Sequence, residues 1–258
     1  MSGLPNTDQL QQSFLKCVEK ASGKPVLVQC DPNFSNHATI RIARHDQPAH
    51  LFQYKPEHEA TLPYLTAFQC LFALRTIEAA PESRFDLASK SNLIPDVLKL
   101  VQDHTRNSGS VPCHALEKLA QQFGHGLGFQ LRSMPLAIRI DQEIFDGYPD
   151  LRPFQRRNVE QQLQECNHAL SPQIKEIAPP TIITANASMS AAFAMFWSGQ
   201  WSEPAIALPY VSAGYRQVGD DLLVLTKRIP SDPNHDRQLV DAWIERLGLH
   251  GWFHTVAR

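Results

Sequence analysis

The chain has 258 residues, a formal net charge of −2 and 19% charged residues, so it turns no overall field toward nucleic acid or an anionic membrane. A chain of this length buries enough apolar surface to fold without a disulfide or metal staple. Its five cysteines, Cys17, Cys30, Cys70, Cys113 and Cys166, are odd in number and form no C-x-x-C pair. They therefore argue against a disulfide framework and an all-cysteine zinc site, and they match the reduced thiols of a cytoplasmic protein.

Residues 1–7 lack a basic region followed by an apolar run, so no signal peptide is expected. The most apolar stretch, 181–197, is interrupted by Thr184, Asn186, Ser188 and Ser190. It is shorter than the roughly 20 residues of a membrane span and predicts a buried core helix.

In chain order, 7–22 predicts an amphipathic helix with Leu10, Phe14, Cys17 and Val18 on one face, stopped by Gly23. Short strands are expected at 25–30, 38–43 and 50–54, forming a small antiparallel sheet. A long helix follows, beginning at Glu57 or Pro63 and running to Ala80. It is apolar almost all round from Tyr64 to Leu74, as a central helix is. Pro81 ends it.

Beyond Pro81 the pattern is mainly helical, with helices expected at 93–104, 113–123, 136–145, 153–170, 180–201 and 236–247. The stretches 107–110 and 124–128 read as flexible joints, 222–226 as a strand and 251–256 as a terminal strand. Phe193, Phe196, Trp197 and Trp201 follow helical spacing and predict core packing, with a partner groove as the alternative. The fold class is α+β: an N-terminal helix, a small sheet and a buried central helix in 1–106, then a mainly helical region in 107–258.

No nucleotide-binding loop and no G-x-S-x-G elbow is present. Gly124-His-Gly-Leu-Gly128 lacks the dinucleotide spacing and follows a helix rather than a strand. His114 and His125 stand eleven residues apart, about 16 Å along an unbroken helix, too far for one metal unless the chain folds back at Gly124. His58, between Glu57 and Glu59, opens the long helix, where carboxylates suit the helix dipole. Arg152, Arg156 and Arg157 cluster at a helix start, where they could contact phosphates or pair with Asp146 and Asp150.

A strand ending near Tyr54 followed by a long buried helix is the setting in which zincin peptidases carry H-E-x-x-H. There, two histidines one turn apart bind zinc and the glutamate activates water. The corresponding frame is Phe68-Gln69-Cys70-Leu71-Phe72. Taken with 21–26 (ASGKPV), 50–54 (HLFQY) and 64–75 (YLTAFQCLFALR), it resembles the core of ImmA/IrrE-type metallopeptidases over about the first third of the chain.

The resemblance implies a degenerate scaffold. Phe68 and Phe72 offer a metal no lone pair, and Gln69 cannot take a proton from water. The residues by themselves equally describe a core helix, with Phe68 and Phe72 as buried neighbours packing on strand 50–54. Gln69 would then be an amide bonded to nearby backbone.

The expected function is a non-catalytic interaction or regulatory protein with a protein partner and with no metal or cofactor. The alternatives are a metal-dependent enzyme or other hydrolase using His58, Glu59, His114 or His125, and a nucleic-acid-associated regulator using the three arginines.

Overall fold

The structure is a computed structural model that describes residues 7–34, 36–106 and 112–258. Its fold class is α+β, a helix-rich chain with a three-stranded sheet and a two-stranded sheet. It comprises two compact units, one from Met1–Ala80 with Arg139–Glu160, the other from Pro81–Ile138 with Gln161–Arg258. The expected joint at 107–110 lies outside the described residues.

In the first unit, α1 (Thr7–Ser22) buries Phe14, Leu15 and Val18 against α2 (Leu62–Glu78). Cys17, expected on the inner face, is exposed, because the buried stripe is centred on the i, i+1, i+4 set and Cys17 falls on its flank. Gly23 ends the helix at φ +70°, a left-handed position that suits glycine.

Three strands follow, β1 (Val26–Cys30), β2 (Ala38–Arg41) and β3 (His50–Tyr54), in the spatial order β1-β3-β2. β3 runs antiparallel to β2, with Ile40 opposite Phe52, and parallel to β1, with Val28 opposite Phe52. The sheet is therefore mixed rather than wholly antiparallel. The chain crosses from β1 to the far edge and returns through the middle, a connection that residue patterns do not encode.

His50 pins this arrangement. It is 1% exposed, and its Nδ1 accepts from the Ala43 N–H at 2.9 Å while its Nε2 lies 2.8 Å from Ser22 Oγ. The acceptor role of Nδ1 defines a neutral ring that donates from Nε2. Burial, and then the nearby Lys24 charge, lower its pKa.

α2 has Pro63 in its first turn and buries Tyr64, Leu65, Ala67, Cys70, Leu71 and Ala73. Within the same unit the end of α4 (Cys113–Gly147) contributes Ile140 and Ile144, and the start of α5 (Arg152–His168) contributes Val159, all buried.

In the second unit, β4 (Phe85–Ser89) pairs antiparallel with β5 (Phe253–Ala257). β5 corresponds to the expected terminal strand. β4 was unforeseen because it is short and only half-buried. α3 (Leu93–Thr105) buries Leu93, Val97 and Val101. The expected break at 124–128 does not occur, since α4 runs through it without interruption. Gly124 and Gly128 serve close approach instead, while Gly126 faces open space. A Cβ at Gly128 would stand 2.9 Å from the Phe253 ring, and one at Gly124 would stand 3.0 Å from Ile94 Cδ1.

α5 is followed by the short α6 (Pro172–Ile177) and then α7 (Pro180–Trp201). α7 is buried almost all round, with Phe193 and Trp197 fully enclosed. No helix among the described residues is long and apolar enough to cross a membrane.

α8 (Leu208–Ser212) precedes α9 (Arg216–Arg228), which lies against α7 where Gly219 meets Ala191 and Met195. The expected strand at 222–226 is thus part of a helix. Its buried residues Gly219, Leu222 and Thr226 recur at i, i+3 and i+7, a period that a five-residue apolar run conceals. α10 (Asp236–Arg246) buries Leu239, Val240, Trp243 and Ile244, and Gly248 closes it at φ +67°. Trp243 Nε1 donates to Thr226 Oγ1 at 3.2 Å, joining α10 to α9.

Candidate functional site

Phe68, Gln69 and Phe72 lie together on α2. All three are half-buried, where Phe68 and Phe72 were expected to be buried, and α2 lies against β2. Gln69 accounts for this contact. Its Nε2 donates to the Ala38 carbonyl at 3.2 Å and its Oε1 accepts from the Ile40 N–H at 3.2 Å. β2 is an edge strand, and these two backbone groups face away from β3. The carboxamide therefore closes the edge as a neighbouring strand would, using one donor and one acceptor. A glutamate could accept from Ile40 but would set a carboxylate oxygen against the Ala38 carbonyl.

A second polar cluster sits one turn earlier on α2. The Tyr64 hydroxyl donates to Asp141 Oδ1 at 2.8 Å, and Gln155 Nε2 donates to the same oxygen at 3.0 Å and to the Asp141 carbonyl at 3.0 Å. Asp141 is 1% exposed. Burial pushes its carboxyl up to about 7, against the lowering effect of the Gln155 and Tyr64 hydrogen bonds. Asp141 Oδ2, Gln155 Oε1 and Asn158 Nδ2 are buried without a hydrogen-bond partner. Burial likewise raises the Tyr64 phenol well above its ordinary value. The sequence signal for this cluster was slight, because Asp141 stands among other charged residues, Arg139 and Glu143, in 136–144 and nothing there sets it apart.

The histidine candidates separate. His58 is buried and stacks on His37, with ring centroids 4.0 Å apart and planes 27° apart, while Glu59 is exposed. Stacking directs the ring faces, rather than the nitrogens, toward each other. His114 and His125 are exposed on α4. Among the described residues no three histidine, cysteine, aspartate or glutamate side chains come together in a way that could hold a metal.

The arginines are largely committed to their own unit. Arg152 Nε donates to the Phe145 carbonyl at 2.8 Å and its guanidinium lies 4.6 Å over the Phe145 ring, while Arg156 pairs with Glu160 at 2.8 Å. These partners differ from the Asp146 and Asp150 suggested by sequence proximity. Arg157 is exposed beside them.

The second unit holds its own buried polar chain. Gln130 Nε2 donates to Ser190 Oγ at 3.0 Å and to the Asn186 carbonyl at 3.3 Å, and its Oε1 accepts from Asn186 Nδ2 at 2.8 Å. Ser190 also faces the Cys166 thiol and the Tyr210 phenol, both of which burial raises above their ordinary pKa. Thiol and phenol are thus held protonated, a state suited to packing rather than nucleophilic attack.

No protein-family model, no curated protein and no solved structure matches the chain.

Proposed function

We propose that this protein is a non-catalytic interaction or regulatory protein, built on a scaffold that resembles a metallopeptidase core without its catalytic motif. The observation that carries the reading is the commitment of Gln69. At the position where the resemblance would place the general base, the side chain closes the edge of β2 through both its donor and its acceptor. The flanking ligand positions hold the rings of Phe68 and Phe72. A frame that once activated water would, in this reading, have become part of the support for the sheet, leaving the outer surface to bind a protein partner in the cytoplasm.

The test is a peptide-library cleavage assay on the purified protein, with and without added zinc, alongside Gln69→Leu. The expected result is no cleavage by either protein and a less stable variant. The two lost hydrogen bonds account for about 1–3 kcal/mol. Cleavage by the wild type that disappears in Gln69→Leu, with the variant still folded, would overturn the reading.

A further inference from the structure

The ring of His50 lies between the end of α1 and the connection 42–49 that joins β2 to β3. The β2–β3 ladder stops at Arg41, opposite Leu51. Beyond that point two side chains tie the connection down. The Ala43 N–H donates to His50 Nδ1 at 2.9 Å. The Lys24 ammonium donates to the Arg44 and Gln47 carbonyls at 2.6 and 2.8 Å, and to that of His45 at 3.3 Å.

The placement of protons around the ring is fixed by its neighbours. The Ser22 hydroxyl directs its one proton at the nearest carbonyl, that of Val18, at 2.8 Å, and accepts from the Lys24 N–H at 3.2 Å. It therefore meets His50 Nε2, 2.8 Å away, as an acceptor. On the other side a backbone N–H can only donate, so Nδ1 must accept. A proton added to Nδ1 would set two donors 2.9 Å apart and leave the Ala43 N–H without its acceptor. The bond to Ser22 would survive, because Nε2 donates in both forms of the ring.

We propose that His50 is a proton-operated catch on the connection 42–49. The neutral ring holds Ala43 at the start of β3, and protonation at Nδ1 releases it while the sheet stays intact. Two observations make the release local. The bond that joins β3 to the lead-in of β1, from the His50 N–H to the Pro25 carbonyl at 2.9 Å, is made by backbone and does not involve the ring. Arg44 to Pro48 are exposed, so water can take the place of the ring at a freed Ala43.

The charges around the ring set the pH at which it acts. Burial, and then the Lys24 ammonium, hold the ring neutral, against the pull of the Glu19 carboxylate. Glu19 also accepts from the Val26 N–H at 2.9 Å. Arg41 at the end of β2 and Arg44, His45 and Asp46 on the connection are exposed. The folded ring thus takes its proton below the ordinary 6.5, while the released ring, freed of the bond to Ala43, takes it more readily. Between the two values each unit of falling pH shifts the balance toward release by up to about tenfold. Lys24 acts twice, as the second tether of the connection and as the charge that keeps the catch closed near neutral pH.

The test is amide exchange on the intact protein between about pH 7 and 5, with rates corrected for the intrinsic pH dependence of exchange. The expected result is that protection of the Ala43 N–H falls by about tenfold or more across that range, while the His50 N–H in the sheet keeps its protection. His50→Asn places an oxygen near the position of Nδ1 and has no proton to gain there. In this variant the protection of Ala43 should not change with pH.

If His50→Asn does not fold, the ring nitrogens of wild-type His50 are followed by NMR. Nδ1 should be unprotonated at pH 7, and its titration should coincide with the loss of protection at Ala43. Protection of Ala43 that does not change with pH in the wild type overturns the proposal. So does an equal fall in His50→Asn, which would assign the effect to another group such as His45. Loss of protection at the His50 N–H in step with Ala43 would mean that acid unfolds the sheet rather than opening a catch, and would equally overturn it.

Discussion

Replacing Asp141 by asparagine isolates the charge at the centre of the first unit's polar cluster. The carboxyl titrates near 3.8 in the unfolded chain and about 7 in the folded one. At 1.36 kcal/mol per pK unit, the difference makes ionisation of the folded protein dearer by up to about 4 kcal/mol. Because the folded state holds a proton that the unfolded state has released, wild-type stability falls as pH rises from about 4 through about 7, and stays low above. Asparagine keeps Oδ1 as acceptor for the Tyr64 hydroxyl and Gln155 Nε2, and its amide replaces an oxygen that lacks a partner. Urea unfolding of both proteins at several pH values between about 5 and 8 measures the effect. The stability of Asp141→Asn relative to wild type should climb with pH, by about 1–4 kcal/mol across that range. A difference that does not change with pH would refute the reasoning, because it would mean that burial does not hold the proton on Asp141.

His50 should produce the opposite slope. Its folded pKa is lowered, so its contribution is fully present above about pH 6.5 and is lost as pH falls through the folded value. The variant His50→Gln should therefore lose less stability than wild type between about pH 7 and 5 in the same unfolding assay; equal losses would contradict the neutral-ring assignment. Gly128→Ala tests why α4 has no break. Helix propensity alone favours alanine by about 1 kcal/mol. The 2.9 Å approach to Phe253 should outweigh that gain and lower the melting temperature, with a net cost of about 1–2 kcal/mol. A more stable Gly128→Ala would mean the glycine serves no packing role.

Much of the secondary structure was legible because periodicity is a local property. The elements 7–22, 50–54, 93–104 and 180–201 lie within a residue or two of their expected bounds. Glycine misled at 124–128, since the same residue serves flexibility in a loop and contact in a packed helix, and only the neighbours Ile94 and Phe253 distinguish the two. Sheet topology was not legible, because nothing in residues 26–30 or 50–54 states that they run parallel. At the candidate site, the amide-to-backbone alternative for Gln69 was open to sequence reasoning, but its use as an edge closure depended on which way β2 turns its backbone. The Tyr64–Asp141–Gln155 cluster was hidden because its members are separated by 77 and 14 residues.

The resemblance of the α2 frame to a metallopeptidase helix is tested most directly by rebuilding it and measuring the melting temperature with and without zinc. Two variants are needed: Phe68→His with Phe72→His, which keeps the Gln69 clasp, and the same pair with Gln69→Glu. Histidines at i and i+4 on α2 point the same way and supply two ligands, with a third to come from the protein and water completing the shell. The triple variant should be the less stable without metal, because the carboxylate meets the Ala38 carbonyl where an amide now donates. The account predicts that zinc raises the melting temperature of both variants and leaves that of the wild type unchanged. Folded variants that zinc does not stabilise would contradict it, and would leave α2 as a core helix with no relation to a metal-binding frame.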